Sequence, residues 1–135
     1  MKLFPFACAV AIACVATAHT ADSSAQPTLT GDWGVLIVQP TTGCEWTGVI
    51  RLREQAGRIS GDGVAEPPIG LGRGTRCPRL EGQVQGDRRG ETVRFGFATG
   101  QLGRADFEGR VAADAKEMTG TWRTRSARGD WSAAK

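Results

Sequence analysis

Between residues 46 and 120 a large apolar residue is followed five times, two positions later, by glycine. The units are Trp46-Thr47-Gly48, Ile59-Ser60-Gly61, Leu80-Glu81-Gly82, Phe107-Glu108-Gly109 and Met118-Thr119-Gly120. Each lies where apolar and polar residues alternate, which puts the apolar residue and the glycine on one face of a strand. Glycine repeated on a buried face lets a sheet coil tightly enough to close on itself.

No segment holds a helical period, so the chain reads as all-β. Strands are expected near 32–39, 45–54, 58–65, 79–86, 91–98, 104–112, 116–124 and 129–134. Their connections carry turn residues, as in Pro40-Thr41-Thr42-Gly43 and Gln55-Ala56-Gly57, and only residues 66–78 form a long link. Eight strands with short links predict an antiparallel up-and-down barrel, with a flattened sandwich as the alternative.

The alternation also sorts the side chains. One face collects Trp33, Val35, Ile37, Trp46, Ile50, Leu52, Leu80, Val84, Val93, Phe95, Phe97, Phe107, Val111, Met118, Trp122 and Trp131. The other carries Arg51, Arg53, Glu81, Gln83, Asp106, Glu108, Arg110 and Arg123. The first set is the expected interior, and it contains no charged residue.

Met1-Lys2, the apolar run Leu3 to Val15 and the small residues Ala16-Thr17-Ala18 have the layout of an export signal over 1–18. The run is too short to cross a bilayer as a helix, so no stable membrane span is expected. Ala11-Ile12-Ala13-Cys14 partly resembles a lipoprotein signal, which leaves anchoring at Cys14 as a second possibility. Residues 19–30 read as a disordered lead-in, and 31–135 as one barrel domain. Once the signal is cleaved, Cys44 and Cys77 are the remaining cysteines, and in a secreted or periplasmic domain they predict a disulfide.

Up-and-down order places both cysteines at one rim. That rim gathers Arg73, Arg76, Arg79, Arg104, Arg125 and Arg128 against Glu45, Glu66 and Asp130. The whole chain carries +3, and losing Lys2 with the signal leaves +2, too mild to imply nucleic acid. Charged loop residues often do no more than solvate a surface, and that reading stands beside a binding role.

His19 is the only histidine and tyrosine is absent, so neither a nucleophile–histidine pair nor a histidine metal site can be assembled. No enzyme activity, cofactor or metal is expected. Gly70-Leu71-Gly72-Arg73-Gly74 lacks the following helix that a phosphate-cradling loop requires.

Thr30-Gly31-Asp32-Trp33 is similar to the Gly-x-Trp opening of the calycins, the lipocalins and avidins. Trp46-Thr47-Gly48 and Thr119-Gly120-Thr121-Trp122 resemble later avidin strands. The resemblance implies a small secreted barrel. It transfers no ligand residue, because Gly34-Val35-Leu36 stands where avidins carry a biotin-contacting Asn-x-x-Gly-Ser segment, and the lipocalin Thr-Asp-Tyr motif is missing.

Two functional expectations follow. The first is a non-enzymatic barrel enclosing a small amphipathic, anionic ligand, with Trp33, Trp46 and Trp122 lining the interior and Arg73, Arg76 or Arg79 at its mouth. In that reading the inward glycines leave space for the ligand. The second is an exported scaffold or inhibitor whose loop 66–79 docks on an envelope or extracellular protein, with Pro67-Pro68 and Cys77-Pro78 limiting the loop's freedom.

Overall fold

Alternation becomes a closed barrel in the computed structural model, which describes residues 26–68, 77–100 and 103–135. The strands are β1 (Gly31–Gln39), β2 (Cys44–Gln55), β3 (Arg58–Glu66), β4 (Leu80–Arg89), β5 (Thr92–Thr99), β6 (Gly103–Val111), β7 (Glu117–Arg123) and β8 (Arg128–Ala134). Each pairs antiparallel with the next, and β8 returns to pair with β1, which excludes the sandwich. Every residue expected inside is buried, and every residue expected outside is exposed. The β2–β3 turn shows how short the links are. Gln55 and Arg58 are the last pair, and Ala56 and Gly57 both take positive φ (51° and 77°), the hairpin geometry that matches strand twist.

Among the described residues the interior does hold charge. The sequence reading ends the fourth strand at Gly86, whereas β4 continues to Arg89, so Arg88 takes the next inward position. Its side chain is 4% exposed and lies 3.2 Å from Glu54 Oε1. Arg88 Nη1 also donates to Pro27 O at 2.7 Å, and Nε donates to Gly90 O at 2.9 Å. Glu54 Oε1 accepts a further hydrogen bond from Leu29 N at 2.9 Å. A buried guanidinium is tolerable only when paired in this way.

The same contacts fold residues 27–29 across that end of the barrel. Leu29 is fully buried, and its carbonyl accepts the Trp33 indole N–H at 2.8 Å. The described end of the expected lead-in therefore packs as a plug on the barrel floor. Residues 1–25, with the expected signal, lie outside the described residues.

Cys44 and Cys77 are joined, with Cα atoms 5.6 Å apart across a sequence separation of 33. Cys44 opens β2, whereas Cys77 precedes β4 by three residues, which gives the chain room to bring the two together. The bond is compatible with an extracellular or periplasmic location. Closing a loop of this length removes unfolded-state entropy, so Cys44→Ala/Cys77→Ala is expected to cost about 3–4 kcal/mol. Urea unfolding of the oxidised parent and of the variant measures it. Among the described residues no helix is long and apolar enough to cross a membrane.

Candidate functional site

Indole rings cross the inward Gly109, Gly120 and Gly129, whereas at Gly48, Gly61 and Gly82 a Cβ would meet the backbone of the neighbouring strand. Trp131 on β8 faces Gly120 on β7, and Gly120 faces Gly109 on β6. The ring extends across both glycines, and its N–H is shared between Thr121 O at 3.1 Å and Glu108 O at 3.2 Å. A Cβ on Gly109 would lie 2.7 Å from Trp131 Cζ2. Trp122 repeats the arrangement one strand along, crossing its partner Gly129 to donate to Val38 O on β1 at 3.1 Å. Trp46 donates to Pro78 O at 2.7 Å.

Ring contacts join most of these residues into one stack. Trp46 meets Trp122 edge-on at 6.4 Å, Trp122 stacks on Phe107 at 6.4 Å, and Phe107 stacks on Phe95 at 5.0 Å. The tryptophans singled out from sequence thus divide. Trp46 and Trp122 lie together in this stack, while Trp33 sits at the plugged end, with Lys135 Nζ 5.4 Å from its ring centroid. All four indole N–H groups are satisfied by backbone carbonyls, which leaves none to hold a guest.

At the cysteine rim, Arg79 is engaged. Its Nε lies 2.8 Å from Glu66 Oε1 and its Nη1 lies 3.1 Å from Glu81 Oε2, all three side chains being more than half exposed. Arg73 and Arg76 lie outside the described residues. What is described of loop 66–79 is its two ends, and both are tied down. Glu66 pairs with Thr47 in the ladder and with Arg79, while Cys77 is held by the disulfide and Pro78 by Trp46.

The outer wall carries charged rows around most of its circumference. Among the described residues the exposed large apolar side chains are Leu36 and Val49, on β1 and β2 beside Gly34 and Thr47. A patch of this kind is within what an ordinary monomer exposes. Around this outer face a furrow of about 1720 Å³ runs across the strands between two register rows. One row passes from Arg53 through Gln85 and Asp106 to Arg123 and Arg128. The other passes from Arg58 through Asp87, Arg94 and Glu108 to Asp130.

Some of these charges neutralise each other, as in Arg94–Glu108 and Arg104–Asp106, both at 3.1 Å. Arg123 and Arg128 do not. They are direct partners across the β7–β8 hairpin, two like charges face to face, and neither has an ion-pair partner among the described residues. Sequence reading missed this pair. With strands ending at 124 and starting at 129, the hairpin would close on Thr124 and Gly129. Thr124 N instead donates to Ala127 O at 2.7 Å inside the turn, and the ladder starts one residue earlier on each side.

No protein-family model and no curated protein matches this sequence. Any functional reading of the chain therefore comes from its own residues.

Proposed function

We propose that this chain is an exported, non-enzymatic binding barrel of calycin-like architecture that engages an envelope or extracellular protein from outside, through loop 66–79 at the cysteine rim. The observation that carries the reading is how the inner volume is used. Glycine positions that a hollow barrel would leave open are crossed by Trp122 and Trp131, and the far end is closed by Leu29. A barrel of this size either fills or holds one small guest, and aromatic rings supply the filling here.

The rim supports the same conclusion. Both ends of loop 66–79 are fixed by a disulfide, an indole hydrogen bond and the Arg79 ion pairs, which lowers the ordering cost of presenting it to a partner. Capture on mature protein exported to a periplasm tests the reading. The expected result is a discrete envelope or extracellular protein retained by the intact barrel and lost when residues 67–76 are removed. Equal retention by both would end the rim proposal. Native mass spectrometry of the same material is expected to give the bare chain mass. A stoichiometric extra mass would instead establish the small amphipathic, anionic ligand enclosed in the barrel.

A further inference from the structure

Arg123 and Arg128 stand opposite one another on the outer face of β7 and β8, at the end of the charged furrow. Like charges directly opposite in a sheet destabilise it, and a carboxylate at either position would remove the repulsion. The surrounding charges do not remove it. Asp106, the partner of Arg123 on β6, is held 3.1 Å from Arg104 Nε. The Arg104 guanidinium also covers Gly96, where a Cβ would lie 2.6 Å from Nε. Asp130 follows two residues after Arg128 and makes no ion pair among the described residues. Arg125, in the turn between the strands, adds a further cation with no ion-pair partner among the described residues. Four arginines therefore face two carboxylates at this corner.

We propose that Arg123 and Arg128 form a subsite for a tetrahedral dianion, phosphate or sulfate, free or as the end group of a larger molecule. Opposed residues have Cβ atoms about 5 Å apart, so two guanidinium forks can close on one oxyanion. One carboxylate satisfies a single fork, whereas a dianion neutralises both. The hairpin ladder fixes the positions of both arginines, so binding requires only that their side chains turn towards each other. The site is separate from loop 66–79 and needs no partner protein, so failure of the rim proposal leaves it standing.

Thermal unfolding in inorganic phosphate, sulfate, methyl phosphate, acetate and chloride at matched ionic strength is the test, applied to the parent, Arg123→Gln and Arg128→Gln. A dianion at ten times its Kd should raise the parent Tm by about 5–10 °C relative to chloride. Both variants should lose most of that rise, while acetate should behave like chloride. Phosphate and sulfate also stabilise proteins generally by exclusion, an effect common to all three proteins, so the difference between parent and variants is the readout. Equal rises in the parent and both variants would overturn the subsite, as would acetate matching phosphate. A rise with methyl phosphate as well as phosphate assigns the site to an esterified end group, and a rise with inorganic dianions alone assigns it to the free ion. The Nε–H resonances of Arg123 and Arg128 should shift on titration with phosphate, and their immobility would also sink the proposal.

Discussion

Gly120→Val is expected to abolish the folded barrel at physiological temperature. Gly120 faces inward on β7, opposite Gly109 on one side and Trp131 on the other. A Cβ there would fall 1.9 Å from Glu108 O and 2.5 Å from Gly109 Cα, well inside van der Waals contact. Those atoms belong to the neighbouring strand's backbone, which cannot rotate away as a side chain would. Glu108 O also accepts the Trp131 indole N–H, so parting the strands costs that hydrogen bond too. Overpacking that must move backbone exceeds the usual range, and a loss above about 4 kcal/mol is expected. Such a loss removes most of the stability of a domain this size.

Urea unfolding followed by tryptophan fluorescence measures the effect, with Thr121→Val as the comparison. Thr121 is the next residue and is exposed, so valine there should change stability by less than about 0.5 kcal/mol. Similar losses at both sites would mean that inside and outside are exchanged by one residue.

The contrast between these neighbours also marks what the sequence made legible. A period of two assigns each residue a face, and one face rich in Trp, Phe and Val is enough to orient every strand. Short links then leave few topologies, and the barrel with its disulfide follows. Alternation alone does not show what lies across the interior. Glycines 109 and 120 read as empty space along the chain, yet they are crossed by the Trp131 indole, which bonds to carbonyls on β6 and β7. Arg88 was hidden for a related reason. Its sequence context, Asp87-Arg88-Arg89-Gly90, is that of a solvated turn, and only pairing of β4 as far as Arg89 turns it inward. Leu29 stands alone among polar residues, so no periodicity flags it. The Arg123–Arg128 pair depends on register, where an error of one residue at each strand end is enough to hide it.

Arg88→Met should produce the second large loss, about 3–5 kcal/mol, because it leaves a partly buried carboxylate without its cation. Glu54, with its side chain 13% exposed, would keep only the Leu29 N–H hydrogen bond. Pro27 O and Gly90 O would lose their donors at the same time. Methionine restores much of the volume, so the deficit is electrostatic rather than a cavity. The double variant Glu54→Leu/Arg88→Met separates the two, since replacing a buried ion pair by apolar groups costs far less than breaking it. It should recover part of the single-variant loss but not all, because Leu29 N then has no acceptor. Unfolding of the parent, both single variants and the double gives the coupling energy. Hydrogen exchange at Leu29 N should accelerate in Arg88→Met before exchange in the β-ladder does, since the residues 27–29 that close the floor are held through this contact. Unchanged exchange at Leu29, or a single-variant cost below about 1 kcal/mol, would show that the floor is held by the burial of Leu29 alone and not by the charge beneath it.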